Sequence, residues 1–418
     1  MNHLITRLKT DIAEARGIPA YLPALACTFL MGVGFSLTMT FMPLFGMQQM
    51  GMSSLMLGIF LTVSSMFEVG ICSWLGKLSD TRVDRKIILL SASIAAVLGY
   101  ILFAFLDNYY ALLLVSITFM ALATAVFPQI FAYVRDAATA VNKDASIAIS
   151  VQRTLFSFSW VVGPLLAPLL IREKNYSLLF LFVALLYAVI AVITVVYLKS
   201  YGRPAAINEA NDQDMAKRSK MSKPIGRWLL WISIAAFMVF ETSNAMSGIA
   251  LPLLTTADLQ ATDRTVGLIV GLNALLQIPL MLGFGLLAKR YGNAFMMKSA
   301  GWFGILYFVL SAFAESTWQL AVCQVLNAAY VSIVLGVGLN YCQDLMPDSP
   351  GAATTLYSNA TTIGVMLGGF MAGSIGEWIG NRAIFIACAI LAGLGLVLIN
   401  GTSMFRSKAP VHTAETVS

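Results

Sequence analysis

The chain has 418 residues, of which 59% are hydrophobic and only 11% charged, and its net charge is +6. An ordinary soluble domain has about 25% charged residues, so the mean hydropathy of +0.81 excludes a soluble fold. The only two histidines, His3 and His412, lie near opposite ends of the sequence, which excludes a histidine cluster that binds a metal or activates a nucleophile. We therefore expect a membrane protein that is not an enzyme and that needs no metal and no cofactor.

Apolar segments recur along the chain, each about 20 residues long, the length that crosses ~30 Å of hydrocarbon as a helix. Stretches such as residues 177–198 are apolar on every face, which excludes the alternating polarity of membrane β-strands. Residues 1–18 are polar and charged, so no cleavable signal peptide is expected. The sequence predicts an all-α integral membrane protein with 12 transmembrane helices, at residues 22–45, 54–75, 87–106, 110–134, 148–170, 177–198, 228–252, 264–287, 295–314, 318–343, 353–376 and 383–403.

The basic residues indicate how the helices are oriented in the membrane. If both termini are cytoplasmic, 21 of the 26 Lys and Arg residues lie in inner segments and four lie in outer loops. Such an excess of positive charge is typical of the cytoplasmic side. We predict a multi-pass protein of a bacterial inner membrane with both termini cytoplasmic, and no nucleic-acid partner, since the basic residues are spread over short loops.

The longest polar stretch divides the predicted helices six and six. The sequence predicts an N-terminal six-helix half at 1–198, a cytoplasmic linker at 199–227 and a C-terminal six-helix half at 228–418. A shift of 209 positions aligns the halves, bringing Pro43 onto Pro252, Ser53 onto Thr262, Gly58 onto Gly267 and Gly76 onto Gly285. Two parallel six-helix repeats with a substrate site between them at mid-membrane are a known plan of transporters.

Polar side chains are distributed unevenly among the predicted helices, and helices 3, 6, 9 and 12 contain almost none. A buried polar group in hydrocarbon costs several kcal/mol unless it is paired or hydrated, so polar residues mark surfaces that face a cavity or another helix. We predict a wet central cavity; the alternative for any single amide is a hydrogen bond that ties two helices together. The candidate substrate-binding residues are Gln129, Gln152, Arg153, Trp160, Glu241, Asn244, Asn273, Gln277, Asn327, Tyr330, Tyr357 and Asn359.

Two acids, Glu68 and Glu241, lie about halfway along their predicted helices. A carboxyl group at that depth can gain and lose a proton near neutral pH, because burial disfavours its charged form. Both are candidates for proton coupling, and Glu241 is favoured because Asn244 shares its helix face. The alternative is a permanently protonated acid that makes one interhelical hydrogen bond.

The segment Gly76–Lys86, GKLSDTRVDRK, resembles the signature loop between helices 2 and 3 of the major facilitator superfamily. The twelve helices, the repeat and the long central linker extend this resemblance over essentially the whole chain. The Asp80–Lys86 stretch, the segment Pro128–Ala132, and Arg153 followed by Ser159–Pro164 are similar to the bacterial sugar efflux transporter group.

This resemblance implies a monomeric transporter that exports small polar solutes, namely sugars or glycosides, in exchange for protons. It also implies a conformational latch formed by Gly76, Asp80, Arg85 and Asp136, although these could instead be ordinary loop charges that hold the topology. A rival function is a multidrug exporter of the same superfamily, which would prefer apolar or cationic compounds.

Overall fold

The computed structural model describes residues 17–143, 145–172, 174–200, 227–346 and 350–407. Within these ranges the chain forms twelve long helices joined by short turns. They are α1 (Tyr21–Leu44), α2 (Ser54–Thr81), α3 (Arg85–Phe105), α4 (Tyr109–Val115, continued by Ser116–Met120, Ala121–Ala123 and Val126–Thr139), α5 (Ser146–Leu170), α6 (Ser177–Val196), α7 (Arg227–Leu253), α8 (Asp263–Tyr291), α9 (Asn293–Ala312), α10 (Thr317–Leu345), α11 (Pro350–Trp378) and α12 (Asn381–Ser407).

Eleven of these described helices are long and apolar enough to cross a membrane. The remaining one, α11, has 29 residues but carries many Gly, Ser and Thr residues, which lower its hydropathy. Small residues of this kind are common where membrane helices pack closely. The predicted all-α membrane fold is confirmed.

Helix α2 is longer than the sequence predicted, because it continues from residue 75 to Thr81 and includes Gly76. The Ser79 hydroxyl donates to the Gly76 carbonyl at 2.8 Å, and no proline interrupts the helix there. A short turn follows, in which Asp84 accepts a hydrogen bond from the Lys86 amide at 2.7 Å and caps α3. The first half of the signature segment is therefore helical and not a loop.

The ends of α1 and α7 repeat the same local geometry at the spacing seen in the sequence. Pro43 lies in the last turn of α1 and Pro252 in the last turn of α7. Each helix then widens into a π-helical turn, at Phe45–Gln49 and at Leu254–Asp258. A proline removes one backbone donor, and a wider turn re-forms the hydrogen bonds beyond it.

Buried apolar side chains form two clusters. One is built from α1 to α6, with Leu253 and Val266 added from the second half, and the other lies wholly within α7 to α12. Aromatic rings lie at both centres, for example Phe180 in the first and Phe308 in the second, each about 1% exposed or less. Each group of six helices therefore has its own packed interior, and the site lies on the surfaces between them.

Candidate functional site

The two groups of helices touch at one end of the molecule. We call this the far end, formed by the turns at residues 50–53, 174–176 and 259–262, and we call the opposite end the basic end, formed by the turns at 82–84 and 140–143. At the far end α2 crosses α11 so closely that a Cβ added to Gly58 would lie 2.7 Å from the Gly373 Cα. Helices α5 and α8 cross in the same way, and a Cβ on Gly267 would lie 2.3 Å from the Pro164 carbonyl oxygen.

A carboxylate adds a polar contact to this closure. Glu377, at the end of α11, accepts a hydrogen bond from the Leu55 amide at the first turn of α2, at 3.2 Å. The unpaired amides at a helix N-terminus favour a negative charge. The contact therefore ties the two halves together at the far end.

Toward the basic end the same helices separate. Gly76 of α2 and Gly285 of α8 lie on the same helix faces as the crossing glycines Gly58 and Gly267, about five turns further along, and a Cβ added to either would meet no atom within 4 Å. The cleft between the halves is consequently closed at the far end and open at the basic end.

The second half contributes a network of side-chain amides from α8 and α10. Gln324 is fully buried, and its Oε1 accepts from the Asn273 amide at 2.8 Å and from the Asn327 amide at 3.1 Å. Gln277 donates in turn to the Asn273 side-chain oxygen. Asn327 Oδ1 has no hydrogen-bond partner among the described residues, and Gln277 engages only the nitrogen of its side-chain amide. The network brings together three predicted residues and leaves hydrogen-bonding capacity at both of its ends.

Glu241 lies on α7, on the face that packs against α11. The residue is 2% exposed, and its Oε1 has no hydrogen-bond partner among the described residues. Asn244, three residues later, lies on the same helix face. Gly364 of α11 allows the close approach, since a Cβ there would lie 2.7 Å from the Glu241 Cβ. Tyr357, seven residues earlier on α11, is near enough to interact electrostatically with the Glu241 carboxyl group.

The first half presents aromatic rings where the second half presents amides. Phe35 of α1 lies 5.8 Å from the Trp160 ring and 6.4 Å from the Phe156 ring, both on α5. Phe127 of α4 lies 5.0 Å from Phe156. Arg153 precedes Phe156 by three residues on the same helix face and makes no hydrogen bond or ion pair with its side chain among the described residues, although it interacts electrostatically with Tyr357.

Gln129 lies in the latch and not with the other candidate substrate-binding residues. The latch pair is formed, with Arg85 Nε 2.5 Å from Asp136 Oδ2. Arg85 also donates to Ser79 at 3.1 Å and to the Gln129 oxygen at 3.5 Å, and Gln129 donates to Ser79 at 3.0 Å. The backbone of Asp80 belongs to α2, but its side chain lies outside the described part of the structure.

Three further predicted residues lie apart from the amide network. Gln152 is fully buried between α1 and α5 and donates to Thr28 at 2.8 Å. Tyr330 is fully buried and donates to the Phe240 carbonyl at 2.6 Å, so it packs α10 against α7. Asn359 is exposed on α11.

Glu68 lies half-buried on α2, in the first half. Ser64, four residues earlier, accepts a hydrogen bond from Ser116 at 2.7 Å, and Cys72, four residues later, lies near Thr124 of α4. Glu68 therefore lies on the face of α2 that packs against α4, away from the second half in which Glu241 lies.

Sequence reasoning missed two components of the site. Gln324, which joins the amide network, was not assigned to the site, although its spacing of three from Asn327 is helical. The rings of Phe35, Phe127 and Phe156 were not assigned either. Phe156 shares a helix face with Arg153, three residues earlier, which could have indicated its place, but nothing in the sequence links it to Phe35 and Phe127 on other helices.

Comparisons with known proteins agree with this architecture. The family model of the Major Facilitator Superfamily matches residues 24–246 and again residues 234–415. A Deinococcus radiodurans protein is 34% identical over 91% of this chain and 98% of the relative. Sugar efflux transporter A of Escherichia coli (strain K12) is 30% identical over 90% of this chain and 95% of the relative, and the name of the Deinococcus protein also refers to sugar efflux.

A crystal structure of a mutant of the nucleoside transporter NupG has a TM-score of 0.77 to this chain, covering 92% of this chain and 99% of that one at 14% identity. This likeness confirms the fold, and the full-length relatives confirm the resemblance of the signature segment. The chain therefore belongs to the major facilitator superfamily and, within it, to the bacterial sugar efflux transporter group, so that it is a multi-pass membrane transporter and not an enzyme.

Proposed function

We propose that the protein exports sugars or glycosides across the bacterial inner membrane, in exchange for protons, by alternating access between halves 1–198 and 228–418, which residues 199–227 connect. The names of its full-length relatives support the substrate class. The excess of basic residues at the basic end supports an orientation in which that end and both termini are cytoplasmic. The open cleft is then inward-facing, which is the state in which an exporter loads its substrate.

The amide network carries the assignment of a hydroxyl-rich substrate. Each side-chain amide both donates and accepts, as does each hydroxyl of a sugar. Gln277 is only half-buried and uses only its amide nitrogen within the network, so its side-chain oxygen can accept from a ligand without breaking the bond that orients it. Asn327 Oδ1 is buried without a partner in this conformation, and a small rearrangement of the network would make it available as a second acceptor. A neutral polyol can therefore exchange its hydrogen bonds with water for hydrogen bonds with these amides at little cost in free energy.

Proton coupling is assigned first to Glu241 and second to Glu68. An ionised carboxylate with one oxygen unpartnered is costly in a buried site, so the surroundings of Glu241 favour its neutral form in this conformation. Glu68 is less buried and lies within the first half. Release of the Glu241 proton would then require the rearrangement that opens the far end.

Transport into inverted membrane vesicles tests the proposal. With an imposed pH gradient, we expect uptake of at least one radiolabelled sugar or thioglycoside, and loss of that uptake in Asn327→Ala and Gln277→Ala. Gly70→Ala is the matched control, since the added methyl group meets open space. Absence of uptake for every saccharide tested, with normal amounts of protein in the membrane, would contradict the assignment.

A multidrug exporter is the second candidate, because the rings of Phe35, Phe127 and Phe156 also suit an apolar or cationic compound. This second function predicts that lipophilic cations bind to the purified protein and that saccharides at millimolar concentration do not compete with them.

A further inference from the structure

Five aromatic side chains form one continuous surface on the first half, which we call the aromatic wall. Its members come from α1, α4 and α5, and each contacts at least one other: Phe35, Phe127, Phe131, Phe156 and Trp160. Phe127 is 44% exposed and the others are half-buried. The wall is therefore a surface with rings available for contact.

The position of Arg153 indicates that the wall faces the second half. Phe156 and Trp160 follow Arg153 by three and seven residues, which places all three on one face of α5. Pro164 lies four residues beyond Trp160 on that face, and its carbonyl oxygen packs against Gly267 of α8 in the second half. The charge of Arg153 also acts on Tyr357 of α11. A face of α5 that meets the second half at the crossing lines the cleft where the two helices separate.

The halves share their architecture but differ in chemistry at matching positions. The shift of 209 that aligns Pro43 with Pro252 also brings Phe35 onto Asn244, Ser64 onto Asn273 and Glu68 onto Gln277. A duplicated site with identical walls would suit a ligand with two similar ends. Aromatic rings on one side and amides on the other suit a ligand with one apolar end and one hydroxyl-rich end.

We propose that the aromatic wall is a subsite for an apolar substituent, so that a glycoside binds with its aglycone on the first half and its sugar hydroxyls on the amides of the second half. This inference rests on the proposed function and adds the orientation of the substrate to it. The wall is larger than one sugar ring can cover, since its five rings span three helices. A free sugar therefore leaves part of the wall uncovered, and an aryl group fills it.

Binding of two matched probes to the purified full chain tests the orientation. The probes are the methyl and the phenyl thioglycoside of one sugar, which differ only in the size of the aglycone. Wild type should bind the phenyl compound more tightly. Phe156→Ala and Phe127→Ala should weaken its binding about 3- to 10-fold, the range of one aromatic contact, and leave the methyl compound unchanged.

Three further variants distinguish loss of the aromatic wall from general damage to the protein. Phe158→Ala, whose ring stacks on Phe29 outside the wall, should leave both affinities unchanged. Gln277→Ala should weaken both probes equally. Phe156→Leu, which keeps an apolar side chain of similar volume, should bind the methyl compound as wild type does and lose part of the phenyl preference.

The results that would contradict the substrate orientation differ from those that would contradict the proposed function. Equal weakening of both probes in the wall variants, or no phenyl preference in wild type, would overturn the orientation while leaving sugar export intact. Failure of wild type to bind either probe, or any mono- or disaccharide, would overturn the proposed function and this inference with it.

Discussion

Glu241 and Glu68 lie at similar depths in their helices but have different surroundings. Glu241 is enclosed by Gly364 and Asn244 and has one oxygen without a partner among the described residues. Glu68 lies half-buried beside α4, four residues from Ser64, which hydrogen bonds across that interface. The lower exposure of Glu241 and its unpartnered oxygen make it the first candidate for binding a proton in the inward-open state.

Replacement of Glu241 by Gln should abolish export driven by a pH gradient but permit exchange of labelled for unlabelled substrate. The amide imitates the neutral carboxyl group and cannot release a proton. Both activities are measured in the same vesicles, and Glu68→Gln is measured alongside as the second candidate, which should retain more gradient-driven export than Glu241→Gln. Undiminished pH-driven transport in both single variants and in the double variant would disprove coupling through either acid.

Removal of the Arg85 guanidinium should slow transport without reducing the amount of protein in the membrane. Arg85→Ala deletes the ion pair with Asp136 and the hydrogen bonds to Ser79 and Gln129. Hydrogen bonds to charged groups contribute about 1.5–3 kcal/mol, enough to shift an equilibrium between two conformations roughly 10- to 100-fold.

The comparison variant for Arg85→Ala is Asn293→Ala. Asn293 donates to Asp344 at 2.7 Å, in the matching position of the second half and with the same spacing of 51 residues. Its donor is a neutral amide, so its loss should slow transport less. Initial rates normalised to immunodetected protein measure both, and equal rates in wild type and Arg85→Ala would show that the pair serves only the topology.

At the scale of helices, hydropathy was enough to predict the elements but not their contacts. The predicted bounds of α5 and α6 agree with the structure within about two residues, because each is a single apolar run. The placement of Gln129 in the latch was not predictable, since its partner Ser79 lies 50 residues away. Helical periodicity places a side chain on a face but does not identify the helix opposite.

The same limit applies to the amides. The alternatives of cavity lining and interhelical hydrogen bonding were stated for each one, and the structure combines them. Asn273 pairs with Gln324, 51 residues away, while Asn327 keeps a free oxygen. The spacing of four residues between Asn273 and Gln277 places both on one helix face, but it does not identify the bond from Asn273 to α10.

The glycine crossings at the far end should control closure of the cleft. In Gly58→Val or Gly267→Val the added side chain would meet the backbone of the opposite half, so the far end could not close as it does here. Overpacking typically costs about 1–3 kcal/mol, which predicts at least a several-fold loss of the inward-open state and of export.

Gly70→Val is the matched control, because it lies on the same helix as Gly58 in open space. The reactivity of a cysteine introduced at Ser157, which is exposed on α5, reports opening of the basic end. Its reactivity in inverted vesicles should fall in the two crossing variants and stay unchanged in Gly70→Val. Normal reactivity and transport in both crossing variants would show that the halves close without these glycines.

The two halves of the molecule share their backbone architecture but differ in the chemistry of their side chains. The π-helical turns after α1 and α7 and the close crossings at Gly58 and Gly267 recur at a spacing of 209 residues. These are backbone features, and they fix how the halves pack and move. The contacts between side chains have diverged, from Ser64–Ser116 in the first half to Asn273–Gln324 in the second. Divergence on a repeated scaffold allows one half to bind a different part of the substrate from the other.

The orientation of this molecule in the membrane is tested by cysteine labelling. Because basic residues concentrate at the basic end, that end should face the cytoplasm. In intact cells a membrane-impermeant maleimide should label Asp107→Cys and Ala257→Cys, which are exposed at the far end, and should not label Ala140→Cys or Lys143→Cys, which are exposed at the basic end. All four should react after permeabilisation, which separates protection by the membrane from burial in the protein. Labelling of the basic-end positions in intact cells would show that the orientation is reversed. The open cleft would then face the outside. This conformation would then be the one that releases an exported substrate, and not the one that loads it.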